Sequence, residues 1–169
     1  MADNFKIKFI DAYKKYADAI YRYCYFRVYS KQLAEELMQE TFMRMWKYLV
    51  DGKDIINMQA LLYQISRNLI IDLSRRDKVR KSIEQAMKLE QDGNFSEPSY
   101  NGKTDLEKKA LLGEVYQLMK MLSRDSQDIL VMRYIQGLTP KEIADIFHTS
   151  PNNISVRIYK SLKKLNKYV

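Results

Sequence analysis

The sequence predicts an all-α protein built as two small helical domains joined by a flexible linker. Three observations carry that expectation. Glycine and proline are scarce among the 169 residues, five and three respectively. Apolar residues recur at three- and four-residue spacings over most of the chain, the period of a helix with one buried face. One stretch, from about Leu89 to Thr104, breaks the period: it holds Gln91-Asp92-Gly93-Asn94, Ser96-Glu97-Pro98-Ser99 and Asn101-Gly102, polar and rich in turn formers. The expected domains are therefore 1–88 and 105–169, with the linker at 89–104.

In the N-terminal part, Phe5, Phe9, Tyr13, Tyr16, Ile20, Tyr23 and Cys24 mark one long amphipathic helix running from Asn4 to near Ser30. Ser30 is a good N-cap for a second helix, whose inner face carries Ala34, Leu37, Thr41, Met45 and Leu49. Val50-Asp51-Gly52-Lys53-Asp54 breaks it. A third helix, about Asn57 to Asp77, turns Leu61, Leu62, Ile65, Leu69 and Leu73 to the core. Beyond the linker, Leu106 to Leu122 forms one helix. Ser123 caps the next, which carries Ile129, Leu130, Met132 and Ile135 and stops at Gly137. Thr139-Pro140 and Ser150-Pro151 each place a capping hydroxyl before a proline at the first helical position.

Composition narrows the chemistry. Hydrophobic residues are 46% and charged residues 30%, as in a folded soluble protein. The net charge of +8 favours a polyanionic partner, nucleic acid or an acidic membrane surface, without choosing between them. One cysteine excludes an intramolecular disulfide, and one cysteine with one histidine argues against a structural zinc site. No cofactor is expected. Cys24 lies among Tyr21, Tyr23, Tyr25 and Phe26, where a buried, inert thiol is favoured over a redox sensor. The N-terminus lacks an apolar core and no run spans a bilayer, so a cytoplasmic protein without membrane insertion is expected.

The last two helices suggest a helix-turn-helix, because a short helix from Pro140 to about His148 precedes a longer, basic one from Pro151. Ala144 allows close packing, and Ile143 with Ile146 or Phe147 faces inward. Ile154, Ile158, Leu162 and Leu165 form the expected buried stripe of the second helix. That leaves Asn152, Asn153, Ser155, Val156, Tyr159, Lys160 and Lys163 outward. Asn and Ser can bond base edges or phosphates, and Val can touch a thymine methyl. Arg157, Lys160, Lys163, Lys164 and Lys167 supply cations for a phosphodiester backbone. The plainer alternative is an amphipathic helix with a solvated lysine face.

Three segments carry a family resemblance. Leu33-Ala34-Glu35-Glu36-Leu37-Met38-Gln39-Glu40-Thr41-Phe42 looks like the segment of a sigma factor that docks on core RNA polymerase. Leu61 to Arg76, with Ile65-Ser66-Arg67-Asn68-Leu69 at its centre, resembles the segment that opens and reads the minus-ten promoter element. Arg133-Tyr134 and Lys141-Glu142-Ile143-Ala144 match the start of the domain that reads the minus-thirty-five element. They occur in family order and spacing. With only these two domains present, the chain resembles a bacterial sigma factor of the extracytoplasmic-function (ECF) class of the sigma-70 superfamily. Ser155 stands where many relatives carry Arg, and Asn152 where Gly is frequent, so a promoter sequence does not transfer from them.

The resemblance implies site residues and partners. Glu36, Gln39 and Glu40 share one helix face, and by resemblance this face docks on the beta-prime clamp of core RNA polymerase. Helix-dipole stabilisation is the rival account, stronger for Glu35 and Glu36 than for Glu40. Arg67, Asn68, Ile71, Arg75 and Arg76 are implied at the minus-ten element, with the loop from Val50 to Met58 as the rim of a base pocket. Arg75, Arg76, Lys78, Arg80 and Lys81 would grip phosphates; capping of a helix end needs fewer cations. Asn152, Asn153, Ser155, Val156, Arg157, Tyr159, Lys160 and Lys163 are implied at the minus-thirty-five element. Promoter DNA is the implied ligand, and an anti-sigma factor follows by family analogy. A stand-alone helix-turn-helix regulator is the alternative, which accounts for residues 104–169 but not for the acidic patch or the Arg-rich third helix. No Gly-rich phosphate loop, zinc spacing or nucleophile motif points to an enzyme. A membrane-surface protein would need a large apolar face beside the basic residues.

Overall fold

In a computed structural model, residues 2–76, 81, 83–85, 88 and 106–168 are described, with the backbone alone at 106–112. The linker expected at 89–104 lies outside the described residues, as do Lys78 and Arg80. The elements are α1 (Ala2–Val28), α2 (Lys31–Val50), α3 (Met58–Arg75), α4 (Leu106–Met119), α5 (Arg124–Leu130), a wide π-turn (Val131–Ile135), α6 (Pro140–Phe147) and α7 (Pro151–Asn166). All described regular structure is helical. The chain divides into two compact units, Met1–Arg80 and Lys81–Val169.

In the first unit, α1 packs on both α2 and α3, and α2 packs on α3. Its core holds Ile20, Tyr23, Cys24 and Val28 of α1, Ala34, Leu37, Thr41, Met45 and Leu49 of α2, and Leu62, Tyr63, Ile65, Leu69 and Ile70 of α3. The inner face expected for α2 is thus buried in full. α1 ends earlier than expected, because Tyr29 takes a left-handed backbone (φ 54°) that an α-helix cannot continue. Ser30 then accepts from the Leu33 N–H at 3.2 Å and starts α2. Tyr13, expected inside, keeps 42% of its surface exposed. Its ring still meets Phe42 edge-on at 5.0 Å, and Phe9 meets Trp46 at 5.4 Å, so an aromatic cluster closes one edge of the α1–α2 pair. Cys24 is fully buried, and burial pushes its thiol up to about 12, as an inert core residue requires.

In the second unit, α6 packs on α7, and α7 on α5. Thr139 and Glu142 form a reciprocal capping box with Pro140 at the first helical position, and Ser150 accepts from Asn153 N–H at 3.1 Å ahead of Pro151. His148 ends α6 in the left-handed region (φ 54°), letting the chain turn at once into α7.

Two expectations here need correction. Leu162 does not join the buried stripe of α7; it is 41% exposed, and Ser161 is buried instead. The hydroxyl of Ser161 donates to the Arg157 carbonyl at 2.7 Å, so a polar residue occupies the core side without an unmet group. Thr41 and Ser66 are buried by the same device. Ile135 is 40% exposed, because the helix begun at Arg124 widens into a π-turn and rotates its last residues out of α-register. Gln136 N–H reaches back to Val131 O at 3.0 Å across that turn, and Leu138 N–H to Met132 O at 2.9 Å.

Candidate functional site

The outward face of α2 carries Glu36, Gln39 and Glu40, all exposed. Glu36 accepts from Gln32 Nε2 at 3.4 Å, and Glu40 pairs with Arg44 at 3.0 Å with both side chains about half exposed. Because α2 begins at Lys31, Glu35 and Glu36 are its fifth and sixth residues, past the first turn where the helix dipole acts. Dipole stabilisation therefore explains little of this patch. Met43, 60% exposed, shares the outward side one turn on from Glu40.

α3 is set by Asn57, whose side chain accepts from the Ala60 N–H at 3.0 Å. Asn68, Arg75 and Arg76 are exposed, whereas Arg67 and Ile71 are half-buried. Arg76 follows the last helical residue, its N–H turned back to the Leu73 and Ser74 carbonyls. Lys81 is exposed. The loop between α2 and α3 borders a cavity of about 370 Å³ lined by Phe5, Lys8, Leu49, Lys53, Ile55 and Met58 among others. Gly52 turns this loop with φ 70°, and Lys53 lays its ammonium 4.5 Å from the Tyr48 ring centroid.

In the second unit, Asn152, Asn153, Ser155, Val156, Arg157, Tyr159, Lys160 and Lys163 are all exposed on α7, while Ile154, Ile158 and Ser161 anchor the other side. The residues therefore form one solvent face with amides and a hydroxyl near the N-terminus and lysines behind. Arg157 lies 4.0 Å from Asp125 of α5, an exposed and hence weak ion pair that leaves its guanidinium available. Arg133 in the π-turn donates to the Leu138 carbonyl at 3.1 Å and ties the turn to the residue preceding the Thr139 cap. This brace escaped sequence reading, since nothing in the spacing of Arg133 and Leu138 signals it. Among the described residues, no group of three His, Cys, Asp or Glu could hold a metal ion, and no helix is long and apolar enough to cross a membrane.

Two family models match the chain where these faces lie: Sigma-70 region 2 over residues 12–80, and Sigma-70, region 4 over residues 112–165. The chain belongs to the sigma-70 family of RNA polymerase sigma factors. Region 2 thus comprises most of α1 with α2 and α3, and region 4 comprises the end of α4 through most of α7. The ECF RNA polymerase sigma factor BldN of Streptomyces coelicolor is 29% identical over 157 residues, covering 90% of this chain and 57% of BldN. The ECF RNA polymerase sigma factor SigM of Bacillus subtilis is 27% identical, covering 92% of this chain and 91% of SigM. The fold is shared with the sigma factor RpoE from Bartonella quintana, solved in complex with the anti-sigma factor NepR. That match has a TM-score of 0.62 at 20% identity and covers 97% of this chain and 95% of RpoE. Members of this family are non-enzymatic transcription initiation factors.

Proposed function

We propose that this chain is an ECF-type sigma factor that binds core RNA polymerase and directs it to promoters by reading two DNA elements. The carrying observation is the pairing of two sigma regions, each with a helix that turns polar residues to solvent: α3 with Asn68, Arg75 and Arg76 in region 2, and α7 in region 4. Glu36, Gln39 and Glu40 form the docking face for the beta-prime clamp, an acidic patch on a chain of net charge +8. Arg67, Asn68, Ile71, Arg75 and Arg76 meet the minus-ten element. There Asn68 can donate to and accept from an unstacked base, and the arginines bind phosphates.

The N-terminal half of α7 enters the major groove at the minus-thirty-five element. Asn152, Asn153, Ser155 and Val156 read base edges, Tyr159 and Lys160 stand behind them, and Arg157 and Lys163 hold the backbone. The expected linker at 89–104 lets the domains 1–88 and 105–169 reach elements separated along the DNA. An anti-sigma factor is the further partner, on the precedent of RpoE with NepR. The protein works where the polymerase does, in the cytoplasm.

The test is reconstitution. Core polymerase with the purified chain is offered a library of randomised promoters, and transcripts are sequenced. Specific initiation that depends on the chain, at promoters sharing two elements, is the expected result. Specific duplex binding by the chain alone, with no polymerase-dependent initiation, would instead favour a stand-alone regulator.

A further inference from the structure

The first turns of α1 carry an apolar pair that the core of their own unit does not use. Ile7 is 58% and Ile10 48% exposed, three residues apart on the helix Ala2–Val28. At about 100° per residue, their face lies about 150° around the helix from the core-facing line of Phe5, Phe9, Ala12, Tyr16 and Ile20. Exposed Asp3 and Lys14 extend the same face, one beyond each end of the pair. Asp3, Ile7, Ile10 and Lys14 thus step by four, three and four residues, the spacing of a coiled-coil seam. Asp3 by itself suits the positive end of a helix. That accounts for neither isoleucine nor for Lys14. Asp3, Ile7 and Ile10 also precede residues 12–80, the part of the chain that matches Sigma-70 region 2, and none of the four belongs to the docking or DNA-reading faces above.

The pattern of this seam says what it fits. Its spacing reads the same from either end, and its order of acid, isoleucine, isoleucine, base inverts on reversal. Laid antiparallel against a second copy, Ile7 meets the partner's Ile10 and Asp3 meets the partner's Lys14. Both ends of the apolar patch then close on opposite charges. In parallel order Asp3 would face Asp3 and Lys14 would face Lys14, so charge selects the antiparallel arrangement. Asp3 and Lys14 cancel, which suits neither DNA nor an acidic lipid surface, although the whole chain carries +8. A patch complementary to itself about a two-fold axis is what an isologous pairing needs.

We propose that this face of α1 is a self-association surface: two copies of the chain pair antiparallel through it, about a two-fold axis that passes between Ile7 and Ile10. The contact spans about 16 Å of helix, far less than a permanent dimer buries, so the pairing is weak and depends on concentration.

Sedimentation equilibrium of the full chain at rising concentration tests this by its weight-average mass, which should climb from 20.1 kDa towards twice that value. Ile7→Ser with Ile10→Ser should hold the monomer mass throughout. Asp3→Lys sets cations at both ends of the seam, and Lys14→Asp sets acids there; each should weaken pairing at least roughly tenfold. Carrying both charge changes in one chain should restore it, because each end again joins opposite charges. Mixing the two single variants should restore it as well, which keeps the result clear of folding, since the mixture regains what each variant alone lost. A wild type that stays monomeric at every concentration would overturn the proposal. So would association that survives Ile7→Ser with Ile10→Ser, or a double charge variant that pairs no better than its single parents. A monomer that instead binds vesicles of anionic lipid through the two isoleucines would overturn it too and assign the face to a membrane surface.

Discussion

Glu40 allows the docking reading to be separated from fold stability. Its carboxylate pairs with Arg44 one turn along α2, at 3.0 Å, with side chains 46% and 51% exposed for Arg44 and Glu40. A half-exposed pair of this spacing is screened by solvent and worth about 0.3–0.5 kcal/mol. Glu40→Lys removes that attraction and sets two cations one turn apart, a repulsion of similar size. The combined cost to folding is thus about 1 kcal/mol or less, with no buried group disturbed. Docking should respond on a different scale. If Glu36 and Glu40 meet basic residues of the polymerase clamp, reversing both leaves partner cations facing cations, and losses of about 2–5 kcal/mol are usual when one side of a buried charge pair is removed. The double variant Glu36→Lys, Glu40→Lys should keep a near wild-type urea midpoint while its affinity for core polymerase falls at least roughly thirtyfold. Titration of fluorescently labelled protein with core enzyme reads the second quantity, and urea denaturation the first. A folded double variant that forms holoenzyme like the wild type would refute this docking face.

Four further outcomes are expected. Asn68→Ala should impair promoter opening more than initial duplex engagement, measured by permanganate reactivity against gel retardation, whereas Arg75→Ala with Arg76→Ala should weaken binding with little sequence dependence and flatten its salt slope. Replacing Asn152, Asn153, Ser155 and Val156 together by Ala should erase minus-thirty-five preference on a randomised element, at about 1–3 kcal/mol per direct contact, while Lys163→Ala weakens all sequences alike. Thr139→Ala dissolves the capping box of α6 and should lower the stability of the second unit by about 1 kcal/mol, read by thermal melting. The Cys24 thiol titrates near 9.0 when unfolded and is pushed up to about 12 in the fold, so only the unfolded chain sheds that proton as pH first rises above 9. Its contribution is fully present below pH 9 and is lost as pH rises towards 12. Tyr21, raised by burial and by Glu35, acts in the same direction, and denaturant midpoints measured across alkaline pH check both.

The helix starts were the most legible part of the sequence. Ser30, Ser123, Thr139 and Ser150 each cap the helix they precede, because a cap is a local bond between one hydroxyl and a backbone N–H three residues away. The inner face of α2 was equally legible, its five apolar or small positions following one period. What periodicity cannot show is a residue whose polarity is satisfied inside its own helix. Ser161 is buried and Leu162 exposed because the serine hydroxyl bonds the Arg157 carbonyl, so hydropathy ranks the two in the wrong order. The π-turn was likewise invisible, since it shows itself only in backbone bonds, such as Gln136 N–H to Val131 O and Leu138 N–H to Met132 O, that side-chain periodicity does not report. Among the site residues, the exposure of the α7 face followed from its amphipathic pattern.

The π-turn also makes chain length between Val131 and Ile135 a fixed quantity. An α-helix advances about 100° per residue, and a turn closed five residues back contains one residue more than a turn closed four back. That extra residue shifts the phase of everything after it. A substitution within the turn changes one side chain. A single-residue deletion would let regular winding resume and would rotate the exit of the chain by about a quarter-turn, carrying Leu138, the Thr139 cap and hence the whole aim of α6 with it. This segment should therefore accept replacements far more readily than changes in length, and chimaeras with other chains of this family should preserve its residue count before its residue identities.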